Sequence, residues 1–567
     1  MKRQSPRPSL FPEMLRAVLR RAARPLRVAW RRSSLYRGLL KGRMPDRILF
    51  HPVDTLPKRL EEADLLLKGR FRFGGEIVDV KEGSVFDKGA PGENWTRALH
   101  EFEWLPPLSA AGGEAARTLA TNLITQWVRR NARYAEPAFS ADVTAARLVH
   151  LFAHGRFVMA NSDVLWRSKL FVSLREQSRL LARTVGEAPD GLPRLEAAVA
   201  NVLAGACLND SAKRLEASLG YLEAQIARQI LPDGGHVSRS PETLLQAYRL
   251  IVMVIDALSA TEYPVPAGIR SAHDRIAPML RFFRHGDGGL AQFNGGTECD
   301  ARMVEALLAR DEVRGQPFLH APHSGYQRLA AGKSLALMDC GVPPAGAFAV
   351  NAHAGCLAFE LSSGAQRIVV NCGTQPGGSI SWAAVLRATA AHSTVTLADT
   401  SMATVLQPGV TRDLLGARLL GGPTEVYSSR EEIEQGWKVD GRHDGYLKRF
   451  GILHERSLSL SPRGNVLSGM DRLIPSPDQS LRKSVPFAAR FHIHPDVRVS
   501  PSQGEGFILK LPSGEGWRFR STGEVAIEES VYLGTSSVRR AEQFVVSGTV
   551  KDAPAEIGWA FEQMSSA

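Results

Sequence analysis

The stretch Cys356-Leu-Ala-Phe-Glu-Leu361-Ser-Ser-Gly-Ala-Gln366-Arg-Ile-Val-Val-Asn371 reads as two strands joined by a turn. Apolar and β-branched residues fill both flanks, and the Ser/Gly-rich centre from Ser362 to Gln366 is turn-forming. Just upstream lies Asn351-Ala-His353. Downstream, past a Gly/Pro-rich loop, lies Arg387-Ala-Thr-Ala-Ala-His392-Ser-Thr-Val-Thr-Leu397, whose end alternates like a further strand. Alternate side chains of a strand share a face, so Asn351 and His353 are expected to look the same way while Leu357, Phe359 and Leu361 fill another layer. His353 and His392 can then meet, with both asparagines beside them, in a polar site on a β-sheet. Taken singly, each histidine is as readily a strand-end cap or a hydrogen-bonded core residue; the set of four argues for chemistry.

Toward the C-terminus the period stays at two. Ser334–Met338, Arg449–Leu460, Ala489–His494, Gly506–Leu511, Gly516–Arg520 and Gln543–Ser547 are strand-like and separated by turn clusters such as Ser461-Pro-Arg-Gly-Asn465. Short strands at such spacing predict an antiparallel sandwich. Before Pro322 the pattern is helical: Glu114–Arg133, Ser140–Ala160, Leu192–Cys207, Ala212–Ile230 and Ser240–Leu258 carry apolar residues at i, i+3, i+4. Ser240 before Pro241 is a start signal, a capping residue followed by a proline suited to the first helical turn. Three parts follow: a leader, 1–47, a helical domain, 48–315, and a β-domain, 316–567, with a cleft where the last two meet.

The net charge of +12 is confined to the start of the chain. Residues 1–43 hold thirteen Lys or Arg against one acid, Glu13, a surplus equal to that of the whole protein, so the remainder is formally neutral. This argues against a nucleic-acid-binding surface and places any attraction for anions on the leader. Within the leader Leu15, Val18, Leu19, Ala22 and Ala23 fall at helical spacing between arginines. Such a stretch suits peripheral contact with an anionic membrane, or is a solvated leader helix. No uninterrupted apolar run follows the charges, so a secretory signal is not indicated. Elsewhere the most apolar run, Leu250–Ile255, is far shorter than a span. Five cysteines without a Cys-x-x-Cys pair are too few for a disulfide framework and read as small buried thiols; Cys356 and Cys372 flank the ribbon.

The segments Asn351-Ala-His353-Ala-Gly355, Asn371-Cys-Gly373-Thr374 and Arg387-Ala-Thr389-Ala-Ala-His392-Ser-Thr394-Val395, in that order, resemble the heparinase II/III family of polysaccharide lyases, from about Trp95 to the C-terminus. The resemblance implies an incomplete α/α toroid followed by an antiparallel β-sandwich. It implies a lyase that cleaves a uronic-acid-containing acidic polysaccharide by β-elimination, requires no cofactor for the chemistry, and belongs to the periplasm or cell envelope, with the cytoplasm as the alternative because no secretory signal is indicated. It also implies His353, Asn371 and His392 as an inherited site for a structural zinc. Two positions depart from the pattern. Asn351 stands where relatives place a catalytic His, and Asn371 stands where they place a carboxylate. A neutral amide brings no charge to offset a cation, which weakens zinc binding.

Such a lyase neutralises the uronate carboxylate, removes the adjacent proton and protonates the leaving oxygen, and fixed donors aimed at the enolate-like anion lower the barrier most. The loop Leu231-Pro-Asp233-Gly-Gly-His236-Val-Ser-Arg239-Ser-Pro241 resembles the family's cleft segment: His236 is implied as neutraliser or acid–base group, Arg239 as an anion contact, and Asp233 as a substrate contact. The loop His285–Gly296 lines the same cleft through Asn294, and Arg387 and Asn351 complete the catalytic set. Relatives use a Tyr base. Tyr248, two turns into a helix, and Tyr446, in His443-Asp-Gly-Tyr446, are the candidates. The competing readings are that Gly234-Gly235 merely closes a helix, that Tyr248 is core and that Tyr446 is an aromatic anchor. His492-Ile-His494 is read as structural. A glycan-binding or cell-envelope protein that retains the scaffold without turnover is the alternative function. A glycosidase would need two carboxylic acids across a cleft, and Asp233 and Glu242 are merely the nearest pair.

Overall fold

The computed structural model describes residues 10–208, 212–311, 315–374, 380–434, 436–477, 484–502, 504, 506–534 and 537–564. The leader residues Lys2, Arg3 and Arg7 and most of the Gly/Pro-rich loop after Gly373 lie outside them. Helices dominate up to Ala301–Leu308, and strands dominate from His320–Ala321 onward.

The helical domain is built around Leu192–Cys207, whose Ala, Val and Leu side chains from Leu195 onward are buried. Ala141–Met159, Ala212–Gln229 and Pro241–Ala260 pack against it, as expected for a helix without a polar face. Ser240 Oγ accepts from the Thr243 amide and Pro241 opens the helix, as the start signal implied. Pro241–Ala260 is the one helix among the described residues long and apolar enough to cross a membrane, and it lies in this core. Two helices beyond the expected five, Val164–Thr184 and Ala267–Phe283, complete the ring of long helices. The helical half also holds a hairpin, Arg70–Phe73 with Glu76–Asp79, turned by Gly74 and Gly75 at φ +57° and +83°.

The β-domain is two antiparallel sheets face to face. One has eight strands in the order Val426–Ile433, Gly436–His443, Ile452–Leu460, Val466–Pro475, Ala555–Gln563, Gly516–Ser521, Phe507–Lys510, Arg498–Pro501. The other has nine: Val525–Tyr532, Arg539–Val550, Val485–Ile493, Gln366–Val370, Phe359–Ser363, Ser334–Asp339, Tyr326–Ala331 and His320–Ala321, with Val395–Leu397 paired beside Val485–Ile493. Between them Phe359 stacks on Trp559 at 5.1 Å and Phe519 on Phe544 at 4.5 Å, the offset contacts that add to simple area burial.

A polar cluster is buried within this core. Arg456 Nε and Nη2 donate to the two oxygens of Asp471 at 2.7 and 2.9 Å, and His454 Nε2 and Trp559 Nε1 complete the carboxylate's shell at 2.8 and 2.9 Å. Burial pushes the Asp471 carboxyl up, and Arg456 with His454 overcomes this, leaving it held well below the usual range. Arg456 Nη1 reaches out of the sheet to the carbonyls of Leu357 and Ser393 at 2.9 and 2.6 Å.

Two expectations are corrected. The strand expected to carry Asn351 and His353 begins only at Phe359; Gly346–Val350 is a 3-10 turn and a loop follows it. The backbone there bonds elsewhere: Arg387 takes the Ala349 and Ala352 carbonyls, and the Ala354 amide donates to the Arg387 carbonyl. Such groups need a partner, and a ladder is only one way to supply it. Similarly, Leu447–Phe450 is a short helix, so the expected strand from Arg449 starts at Ile452. The five cysteines are unpaired. Replacing Asp471 by Asn leaves the Arg456 cation unpaired in the core, and a loss of about 3–5 kcal/mol is expected, read from urea unfolding; a change below about 1 kcal/mol would show that the pair does not hold the sandwich.

Candidate functional site

Both glycine-rich loops of the helical half dock on the β-domain. Asp233 Oδ2 accepts the amides of His323 and Ser324 at 2.9 and 2.6 Å, and Oδ1 accepts Ser324 Oγ at 2.8 Å. Gly235 lies so close to Ser324 that a Cβ would collide with its hydroxyl. Arg239, at φ +60°, donates from Nε to the Ser324 carbonyl at 2.7 Å and from Nη1 to that of Gly341 at 3.0 Å, and its Nη2 pairs with Asp339. Its guanidinium lies over the Tyr326 ring at 4.8 Å. Burial lowers its pKa and Asp339 more than reverses this, so the cation is locked in place.

His236 is enclosed. Its Nδ1 accepts from the Ser238 amide at 3.0 Å, and its Nε2 meets Gln229 Oε1 at 3.1 Å, which assigns the proton to Nε2. Burial pushes its pKa down to about 3. On the second loop His285 bonds Glu360 at 3.0 Å and Ser362 at 2.8 Å, Asp287 pairs with Arg367 at 2.7 Å, and the Gln292 amide donates to Glu360 at 2.9 Å. Asn294 donates to Tyr326 Oη at 3.0 Å and Asp339 at 3.3 Å and accepts the His353 amide at 3.3 Å.

On the β side His353 and His392 do meet, Nδ1 to Nε2 at 3.0 Å. His392 Nδ1 donates to the Ala388 carbonyl at 2.8 Å, so its Nε2 is the acceptor and His353 is the donor. Burial pushes His392 down to about 4; burial, with His392 and Arg387 nearby, pushes His353 lower. Asn371 accepts the Ser393 amide at 3.1 Å and donates to Glu360 at 3.0 Å. Arg387 is wrapped by the carbonyls of Ala349, Ala352 and Ala417, and burial lowers it to about 10. Asn351 is exposed, with its backbone against Gly295, where a Cβ would lie 2.8 Å from the Asn351 oxygen.

Asp233, His236, Arg239, Asn294, Asn351, His353, Asn371, Arg387 and His392 thus belong to one polar seam between the domains. Tyr248 and Tyr446 do not. Tyr248 is buried among helices and bonds His273 at 3.0 Å; Tyr446 is buried under the sheet and donates to the Val395 carbonyl at 2.8 Å. Burial raises both phenols. The sequence reading passed over Glu360 and Asp339, the carboxylates on which the seam is assembled. An acid inside the apolar run Ala358-Phe-Glu-Leu361 was the available signal. It also passed over an acidic group in the helical domain, where burial pushes Glu101 to about 8 and Glu196 to about 6.

The expected zinc donors do not fit the ion. Two neutral imidazoles bond each other, the Asn371 oxygen is held by Ser393, and no anionic ligand joins them; among the described residues no three His, Cys, Asp or Glu side chains converge as ligands. The amide of Asn371 brings no charge to offset the cation, and its oxygen is already taken by the Ser393 amide.

A helical domain feeding an antiparallel sandwich is the architecture this chain shares with solved heparinase structures. The family model described as Heparinase II/III-like, C-terminal, matches residues 313–560. FtsZ-localized protein C of Caulobacter vibrioides is 32% identical over 566 residues, covering 97% of each chain. The solved structure of heparinase III superposes with a TM-score of 0.70 at 14% identity, covering 99% of this chain and 93% of that one. A heparan sulfate lyase HepC mutant from Pedobacter heparinus gives 0.62 at 16%, covering 99% and 92%. The chain belongs to the heparinase II/III-like family.

Two outcomes follow from the buried groups. The folded state excludes a proton from His236 down to about pH 3, whereas an unfolded imidazole binds one near pH 6.5. Stability therefore falls as pH drops below about 6.5, by roughly 2 kcal/mol per such histidine at pH 5. His236→Gln is expected to flatten stability against pH between about 6.5 and 4 by about one proton, measured by urea unfolding across that range. Asn371→Asp would set a second carboxylate 3.0 Å from Glu360; the variant is expected to melt lower than wild type and to regain the loss on adding zinc, in a thermal scan in which zinc leaves the wild type unmoved.

Proposed function

We propose that this member of a polysaccharide lyase family is a glycan-binding protein of the cell envelope that works beside FtsZ and whose elimination chemistry is disabled. One observation carries this reading: the imidazole and guanidinium groups expected to act on a uronate are already bonded to the protein. His236 is closed at both nitrogens, and Arg239 and Arg387 are engaged by Asp339 and by main-chain carbonyls. β-Elimination needs donors directed at the developing enolate and a base whose pKa lies near the working pH. A histidine at about 3 and two raised, buried phenols supply neither. The exposed face that remains carries an amide, Asn351, suited to hydrogen bonding with sugar hydroxyls. The link to FtsZ rests on the Caulobacter relative named for its localization with FtsZ, similar along 97% of the chain.

A second reading, retained cleavage of a uronate-containing polymer, has one observation in its favour. His353 Nδ1 is fixed on His392, and no hydrogen bond among the described residues reaches its Nε2, which leaves that lone pair unused. The discriminating experiment incubates the protein with heparan, alginate and hyaluronan and follows the near-ultraviolet absorbance of unsaturated sugar ends, with binding followed in parallel by affinity electrophoresis. Retardation without absorbance gain is expected. Absorbance that rises with wild type and disappears in His353→Ala would establish the lyase instead.

A further inference from the structure

We infer that the loop 341–352 is a strap whose Phe348 occupies a subsite for an acidic pyranose among helix ends of the helical domain, and that a glycan enters by displacing the ring. The loop follows the strand Ser334–Asp339 and is pinned near both ends by arginines. Arg239 Nη1 donates to the Gly341 and Val342 carbonyls at 3.0 and 3.3 Å, and Arg387 donates to those of Ala349 and Ala352 at 3.0 and 2.8 Å. Between the pins the chain turns at Gly346, φ +59°, a conformation that glycine adopts without steric cost. The turn carries Phe348 across the seam.

There the ring meets three groups from separate places in the chain. One is Gly191, the residue before Leu192–Cys207, where a Cβ would come 3.8 Å from the ring. The second is Arg228, in the last turn of Ala212–Gln229, whose guanidinium stands 5.6 Å from the ring centre. The third is His236, met edge to face at 6.4 Å and 78°. Phe348 is only half-buried by them, whereas Phe359 and Phe491 in the sandwich are fully enclosed. A cation beside an aromatic face at so open a place is weakly held. The ring is seated, and it can leave.

The composition of the pocket names the ligand. Asp190 accepts from Arg194 at 2.7 Å and from Arg228 at 2.8 Å, so two guanidiniums share one carboxylate and one positive charge is left over. Arg228 is 47% exposed, and an ion pair so open contributes little, which frees its guanidinium to turn to a carboxylate that arrives. A six-membered sugar ring is about as wide as a phenyl ring and offers a C–H face to pack on the Gly191 floor, with hydroxyls for Asp190. Apolar walls with a few polar groups, at a joint between domains, are the usual make-up of a ligand site. The subsite rests on the glycan-binding reading above. Asn351 lies three residues beyond Phe348 on the same loop, so the strap joins the subsite to that exposed amide.

Affinity electrophoresis of the full-length protein in gels holding heparan, hyaluronan or neutral dextran tests the strap. Phe348→Ala is expected to bind the two acidic polymers roughly fivefold more tightly than wild type, the factor by which a strap closed in about four molecules of five weakens binding. Dextran is expected to show no gain, Phe348→Tyr to match wild type, and Phe348→Ala combined with Arg228→Ala to lose the gain; circular dichroism checks each fold. Hydrogen exchange needs no variant. On wild type with heparan bound, 343–350 is expected to exchange faster, because a displaced strap loses protection where an ordinary ligand contact would add it. Retardation of wild type that Phe348→Ala leaves unchanged or weakens, or slower exchange across 343–350, overturns the strap and leaves the glycan reading standing. A gain for dextran equal to that for the acidic polymers overturns the acidic ligand. No retardation of any form by any polymer overturns the glycan reading, and the subsite with it.

Discussion

A guanidinium buried between two sheets sets the geometry on which the rest of this molecule depends. Arg456 holds Asp471 with two nitrogens and, with the third, the carbonyls of Leu357 and Ser393. Those carbonyls belong to the two loops that present His353 and His392, so the separation of the imidazoles is decided beneath them, inside the sandwich. A buried pair of this kind adds little net free energy, because desolvation offsets most of the attraction. Its consequence here is positional: the loops cannot drift without leaving the buried Nη1 donor of Arg456 unpaired.

The same logic governs the joint between the domains. Asp339 and Glu360 rise from the sheet, and the glycine-rich loops of the helical domain close on them through Arg239, Asn294, His285 and Gln292. Polar groups enclosed at such a joint must find partners, and every partner found inside the protein is one fewer for a substrate. In this scaffold the polar residues of the seam hold the two domains together.

Charge is divided along the chain rather than spread over the surface. The body is formally neutral and the leader carries the excess. The leader is held on both domains, through Glu13 on Arg418 and Arg24 on Glu136.

Periodicity made most of the architecture legible. Apolar residues three and four apart give one face of a helix and alternate residues give one face of a strand, which is why the buried helices and the sandwich strands were readable to within a few residues. Val164–Thr184 escaped because arginines and serines interrupt its apolar stripe, and the hairpin at Arg70–Asp79 escaped although Phe71, Phe73 and Gly74-Gly75 signal it. The meeting of His353 with His392 was legible from the order of the segments. What the sequence by itself determined was which faces are apolar, where the charge lies, and which polar residues recur in a family's order. Only the tertiary structure decided what those polar residues bond. Arg239 meets Asp339 a hundred residues away and Arg456 meets Ser393 sixty-three away, and the partner of a buried polar group is chosen by long-range packing, which leaves no period in the chain.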